Sequence, residues 1–290
     1  MKILLLGKNG QLGSDIFDFL QYNEFCLENL GFTRDELDVT DFAKLEHCLS
    51  ALDFDILINC TSVHKTDDIE ENTDAAFSVN AKAVKIMSEI SNSKNAKFYH
   101  VSTDYVFGGD RYNEPIPENM ACAPVNIYGA SKALGEQFAR MFNQRTYIFR
   151  VASLFGVSGS SGKGGNFIET IIQLFNHRET ISVVSDQVMS PTFTEDVAAI
   201  ICKSIESNVS SGIYHAVNSG SCSWFELALY VSEKLQCKCK VLPCSAVEFG
   251  SLAIRPAYSV LDNAKISAAV GNIPSWKNAV DRYLIAKGHI

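Results

Sequence analysis

Short apolar runs alternate with amphipathic ones through the first half of the chain. Lys2–Leu6 is apolar after its lysine and ends at Gly7, which predicts a buried strand. Gln11–Leu20 then predicts a helix. The runs Asp55–Cys60 (DILINC), Lys97–Ser102 (KFYHVS) and Thr146–Val151 (TYIFRV) predict further strands. Between them, Asp74–Ser91 carries Phe77, Ala81, Val84 and Met87 at helical spacing, and Ser131–Phe142 predicts another helix. A strand within Phe25–Thr33 is expected from the alternation, although that stretch is poorly patterned. Strands alternating with helices imply an α/β fold: a doubly wound parallel sheet of the Rossmann kind, helices on both faces.

After Val151 the pattern loosens. Gly156–Gly165 (GVSGSSGKGG) predicts a loop, and Pro191 a turn. Helices are expected at Phe167–Asn176, Glu195–Ile205, Trp224–Leu235 and Trp276–Ala286, with strands at Ile181–Val184 and Gly212–Ala216. The expected division is a Rossmann domain over 1–155, to which segments near 193–218 return, and a smaller C-terminal α/β lobe over 156–290 that binds substrate. The ligand cleft would lie between them.

The glycines at the end of the first strand add chemistry to this picture. Gly7-Lys8-Asn9-Gly10-Gln11-Leu12-Gly13 has G-x-x-G-x-x-G spacing, follows a strand and opens a helix. Glycine permits the tight turn and lets a pyrophosphate approach the backbone, while the helix N-terminus offers N–H groups. The expected cofactor is therefore a dinucleotide, NADPH or NADH. Twenty positions after Gly13 stand Thr33 and Arg34; Arg34 suits a 2′-phosphate and favours NADPH. The competing reading is a surface arginine paired with Asp35 or Glu36.

Ser102-Thr103-Asp104 closes a predicted strand at the edge where such sheets bind ligands. Tyr128-Gly129-Ala130-Ser131-Lys132 sets a tyrosine and a lysine four apart, on one helix face. A nearby ammonium lowers a phenol's pKa, so the tyrosine can protonate a developing alkoxide. A strand-end hydroxyl such as Thr103 can hold the same oxygen. An isolated Tyr-x-x-x-Lys is more often an exposed pair; here three features fall in order along the chain.

The net charge of -8 argues against a nucleic-acid partner. No apolar run approaches the ~18 residues that would span a bilayer, so no membrane partner is expected. The nine cysteines are odd in number and scattered, which fits reduced thiols and a cytoplasmic location. Cys237, Cys239 and Cys244 lack C-x-x-C spacing and a nearby histidine, so no zinc site is expected there.

Together these residues resemble the extended short-chain dehydrogenase/reductases, and among them the dTDP-4-dehydrorhamnose reductase family, over essentially the whole chain. The resemblance runs through GKNGQLG at 7–13, STDYVF at 102–107, YGASK at 128–132, GGNF at 164–167 and DQVMSPT at 186–192. It continues through GIYH at 212–215, SGSCSWFE at 219–226 and RPAYSVLD at 255–262. It implies NAD(P)H-dependent reduction of the 4-keto group of a nucleotide-linked 6-deoxy sugar. By the same resemblance Gly10, Gln11 and Leu12 line the pyrophosphate, Asp38 and Val39 flank the adenine, and Ser62, Val63 and His64 meet the cofactor. Val101 lies beside the nicotinamide. Thr103, Tyr128 and Lys132 form the catalytic set, and Thr103 with Asp104 meets the sugar. Members commonly carry a tryptophan where this chain has Ser153, and their glycine/serine loop is often shorter. Both departures lie on the substrate side.

Two other readings stay open on the same residues. One is an epimerase that keeps its cofactor bound and returns the hydride; exchange of cofactor with solvent separates it from a reductase. The other is a non-catalytic regulatory subunit, against which the presence of Tyr128 and Lys132 speaks. A two-fold homodimer is the oligomer to expect of a soluble enzyme. The family sometimes holds a divalent ion such as Mg2+ between subunits. Asp15 and Glu195 could match its ligands, but surface carboxylates at helix starts are the preferred reading, and no metal site is predicted.

Overall fold

Residues Ile3 to Leu6 are all buried, as in a strand covered on both faces. In this computed structural model, which describes residues 1–108, 114–159 and 165–290, that strand is β1 (Lys2–Leu6). It lies between β2 (Glu28–Phe32) and β3 (Ile56–Asn59), parallel to both. β4 (Lys97–Thr103) and β5 (Thr146–Val151) extend the sheet on the β3 side. The poorly patterned segment thus does form a strand. Its burial alternates because β2 is the edge of the sheet.

The first-half helices are α1 (Gln11–Gln21), α2 (Phe42–Ala51), α3 (Thr66–Glu71), α4 (Thr73–Phe77), α5 (Ala83–Ser93) and α6 (Ile127–Phe142). Two differ from the sequence expectation. The single helix expected over Asp74–Ser91 is interrupted by a π-turn at Ser78–Lys82, between α4 and α5. Helix α6 begins at Ile127, not Ser131, because the Asn126 side chain accepts from the Gly129 N–H at 2.8 Å and caps it there. Tyr128 is therefore in the first helical turn. Helix α2, capped by Asp41, was not expected; only Leu45 and Leu49 of it are buried, too few to set a pattern.

Beyond β5 come β6 (Leu154–Phe155), α7 (Phe167–His177), β7 (Thr180–Val184), β8 (Val188–Met189), β9 (Thr192–Phe193) and α8 (Thr194–Glu206). Next is β10 (Gly212–His215), which pairs with β5 and completes a six-stranded parallel sheet of order β10-β5-β4-β3-β1-β2. The order reverses at β1 and β3, so the crevice of this Rossmann sheet opens above their C-terminal ends. β11 (Cys222–Ser223), α9 (Trp224–Lys234), β12 (Lys240–Cys244), α10 (Ala246–Phe249), α11 (Ala264–Val270) and α12 (Trp276–Ala286) follow.

One face of the sheet packs on α1 and α8 through Ile16, Leu20, Val197 and Ile201 against Tyr99, Phe149 and Tyr214. The other packs on α2, α5 and α6 through Leu45, Leu49, Val84, Met87 and Ala139. A separate core joins α7, α9 and α12 in the smaller C-terminal α/β region. Among the described residues, no helix is long and apolar enough to cross a membrane, and no group of three metal-ligating side chains comes together. All nine cysteines are free thiols. Of the glycine/serine loop, residues 160–164 lie outside the described residues, and Gly164 of the GGNF motif with them.

Candidate active site

At the end of β1 the chain turns through Gly7 at φ +85°, a conformation that favours glycine. The Gly7 and Lys8 N–H groups both donate to the Phe32 carbonyl, at 2.8 and 3.1 Å. A Cβ on Gly13 would collide with the Gly7 carbonyl, so the start of α1 can lie against the turn only without a side chain there. No side chain caps α1 at Gly10, and the buried Gln11 Oε1 has no hydrogen-bond partner among the described residues. An uncapped helix start on a glycine cradle, its backbone N–H groups left without a capping side chain, fits the pyrophosphate of a dinucleotide. Leu12 is buried and anchors the helix.

Past β2, the Arg34 guanidinium is largely exposed and pairs with Asp38 at 3.5 Å. Asp35 and Glu36, the partners that the surface reading would give it, are not the ones it uses. Glu36 instead binds Lys8 of the glycine turn at 3.0 Å. Asp38 also accepts from the Thr40 N–H and hydroxyl, which hold its carboxyl below the usual range. Val39 is buried beside it.

The loop after β3 is fixed by a residue that the motifs did not single out. Asn80, fully buried, sits in the π-turn. Its Oδ1 accepts from the Val63 N–H at 3.0 Å and the Ser62 hydroxyl at 3.2 Å. Its Nδ2 donates to the Val63 carbonyl and to the Ser131 hydroxyl, both at 3.0 Å. One amide thus ties Ser62 and Val63 to α6. The Asn80 carbonyl also approaches Gly135 of α6 so closely that a Cβ there would overlap it. Insertion of one residue into a helix is a common device at functional sites. His64 Nδ1 contacts the Ser62 carbonyl at 3.4 Å, a local loop contact.

At the end of β4, Thr103 Oγ1 donates to Asp104 Oδ1 at 3.0 Å, and the Ser259 hydroxyl donates to Asp104 Oδ2 at 2.6 Å. Burial pushes the Asp104 carboxyl up to about 6. The Thr103 and Ser62 hydroxyls lie near the Tyr128 phenol and favour its ionised form, yet burial outweighs them and pushes it up to about 12. The Tyr105 ring packs edge-on against Tyr128, centroids 5.8 Å apart. Lys132, fully buried one turn along α6, donates from Nζ to the Val101 carbonyl at 2.6 Å. Burial brings it down to about 8. The expected lowering of the phenol by a neighbouring ammonium is therefore not what the structure shows. Ser153, in the left-handed region at φ +43°, lines a small pocket with Tyr105, Gln187, Trp224 and Ser259. Trp224 brings to that pocket an aromatic ring from another element.

Beneath this floor lies a buried ion pair. Arg150 of β5 donates to Glu136 of α6 at 2.9 and 2.7 Å, a two-pronged contact, and the Ser102 hydroxyl donates to Glu136 Oε1 at 2.5 Å. Glu136 is one turn beyond Lys132 and Ser102 is next to Thr103, so the pair locks α6 to the strand ends.

Comparison with known proteins shows which family the chain belongs to. A family model described as the RmlD substrate binding domain matches residues 1–287. The spore coat polysaccharide biosynthesis protein SpsK of Bacillus subtilis is 33% identical, with 98% of this chain and 96% of that protein covered. The dTDP-4-dehydrorhamnose reductase of Aggregatibacter actinomycetemcomitans is 30% identical, with 96% and 97% covered. The crystal structure of a dTDP-4-dehydrorhamnose reductase from Bacillus anthracis in complex with NADP superposes with a TM-score of 0.90 at 36% identity, covering 99% of this chain and 100% of that one. The chain belongs to the RmlD substrate binding domain family and is a dTDP-4-dehydrorhamnose reductase-like NAD(P)-dependent oxidoreductase, one of a family of nucleotide-sugar 4-keto reductases.

Proposed function

We propose that this protein reduces the 4-keto group of a nucleotide-linked 6-deoxy sugar with NADPH, and that dTDP-4-dehydrorhamnose is its substrate and dTDP-rhamnose its product. The observation that carries the reading is the meeting of the Thr103, Tyr128 and Ser62 hydroxyls at the end of β4, with Lys132 buried close by. When bound, the reduced nicotinamide supplies a hydride to the carbonyl carbon. The former carbonyl oxygen then needs a proton, and the Tyr128 O–H is placed to give it. Thr103, whose hydroxyl donates to Asp104 here, would turn that hydrogen to the same oxygen and orient it. Lys132 replenishes the phenol.

Gly7, Gly10, Gln11 and Leu12 would hold the pyrophosphate, with Asp38 and Val39 at the adenine and Ser62, Val63, His64 and Val101 along the nicotinamide half. Arg34, exposed and paired with Asp38 at 3.5 Å, can turn to a 2′-phosphate. Ser153 and Asp104 would line the sugar side. The test is the loss of reduced-nicotinamide absorbance with a panel of nucleotide-linked 4-keto-6-deoxy sugars, the product identified by NMR. Stoichiometric NADPH oxidation with the dTDP-linked rhamnose precursor is expected. Oxidation only with a different sugar would overturn the substrate; none with any would overturn the reaction.

A further inference from the structure

We propose that His100 is a positioning residue for Lys132: it keeps its ring proton on Nε2, facing the lysine Nζ, and so favours the amine over the ammonium. The inference deepens the reading that Lys132 serves Tyr128, but its test does not require turnover.

The argument begins at Asn59, the last residue of β3, which is fully buried and pairs in register with His100 of β4. Asn59 Oδ1 accepts from the Thr61 N–H at 2.9 Å and from the Thr61 hydroxyl at 2.6 Å. Turning the amide over would set its N–H2 against the Thr61 N–H, so its orientation is fixed. The Asn59 Nδ2 therefore points at His100 Nδ1, 3.2 Å away, and donates to it. A neutral imidazole carries one proton, and an Nδ1 that accepts leaves it on Nε2. His100 is fully buried, and burial together with the Lys132 charge holds it well below the usual histidine range, so the ring is neutral.

His100 Nε2 stands 3.4 Å from Lys132 Nζ. An N–H directed at an ammonium opposes it; directed at an amine lone pair, it is a hydrogen bond. A donor aimed at the neutral form disfavours the charged one. The remaining titratable groups around Nζ do not repeat this role. The Cys60 thiol, at the end of β3, is pushed up to about 12 by burial and stays neutral. Glu136, on the same helix, favours the ammonium but is committed to Arg150 and Ser102. Tyr128 lies one turn earlier on the same helix. The Asn59–His100 pair thus holds the lysine near its switching point, where its ammonium can give a proton to the phenolate that Tyr128 leaves and the resulting amine can regain one from water. A permanently charged ammonium could only attract.

The experiment is an NMR titration of the Lys132 side-chain resonance in the full chain labelled at lysine, assigned by its absence in Lys132→Met. His100→Phe keeps the ring volume and removes the N–H; the Lys132 midpoint should rise by about one pH unit. Asn59→Asp requires a proton on Nδ1 and turns the Nε2 lone pair toward Nζ; the midpoint should rise again. His100→Gln, whose amide N–H can stand in for Nε2–H, should stay near the wild-type midpoint. An unchanged midpoint in a folded His100→Phe overturns the proposal, even if activity falls. Should that variant not fold, His100→Leu, which removes the N–H without adding a charge, decides in the same way. A midpoint that moves while the pH–rate profile does not would uphold the pairing and count against the role of Lys132 in turnover.

Discussion

Replacing Glu136 with leucine removes one half of the ion pair under the site. Arg150 is 1% exposed and Glu136 3%, so the orphaned guanidinium has no route to water. Its other contacts include the Glu118 carbonyl, His215 Nε2 and the Cys122 thiol, each at 3.4 Å, and the face of the Phe107 ring at 4.9 Å, none of which replaces a bidentate carboxylate. Breaking such a buried pair costs about 3–5 kcal/mol. Unfolding entropy of about 2.1 cal/mol/K per residue over 290 residues gives roughly 0.6 kcal/mol per degree, hence a Tm lower by about 5–8 °C. The exposed Arg34–Asp38 pair supplies the contrast: Arg34→Ala should cost about 0–1 kcal/mol. The double variant Glu136→Leu/Arg150→Met restores an uncharged core and should recover most of the loss. Urea denaturation followed by circular dichroism measures the free energies, and a thermal scan the Tm. A Glu136→Leu penalty under about 1 kcal/mol, or a double variant as unstable as the two single penalties added together, would refute the reasoning.

Tyr128→Phe should lower kcat by about 10²-fold or more while cofactor fluorescence titration stays close to wild type; wild-type turnover would remove Tyr128 from the chemistry. The Asp104 carboxyl is raised to about 6 from an ordinary 3.8, so its contribution to stability is complete below pH about 4 and is lost as pH rises through about 6. Asp104→Asn should therefore gain stability relative to wild type between those limits, and a gain on acidification instead would contradict the assignment. Gly135→Ala forces α6 off the Asn80 carbonyl and should cost about 1–3 kcal/mol, with a fall in kcat larger than that of an alanine placed at Gly250, where nothing stands within 4 Å. Arg34→Ala should raise the KM for NADPH far more than that for NADH; equal effects would return Arg34 to a surface role.

The legible parts of this molecule were those whose cause is local. A buried strand running into Gly7 and an uncapped helix start can be read from a dozen residues, and Tyr128 with Lys132 from five. What stayed hidden depends on which strands become neighbours. Asn59 and His100 are 41 residues apart and meet because β3 and β4 pair in that register. Glu136 and Arg150 look, in sequence, like ordinary surface charges. Asn80 acts through a one-residue bulge that leaves no periodic trace, since Phe77, Val84 and Met87 keep helical spacing on either side of it. The edge strand β2 was indistinct for the opposite reason: Glu28 and Leu30 are exposed, and Gly31, though buried, carries no side chain because Phe17 and Lys8 fill the space beside it.

The return of β10 to the main sheet bears on how the polypeptide is made. Residues 152–211 intervene between β5 and β10, and α8, which covers the face of β5 with Val197 and Ile201, lies inside that excursion. While a ribosome has released only the first 155 residues, β5 is an open parallel edge, and Phe149 and Tyr147 face water. Such an edge templates pairing with other chains. Emergence of residue 216 is therefore the event that closes the sheet. A nascent chain stalled before it is an aggregation risk, and one stalled after it carries a finished sheet to which α9, α11 and α12 can add.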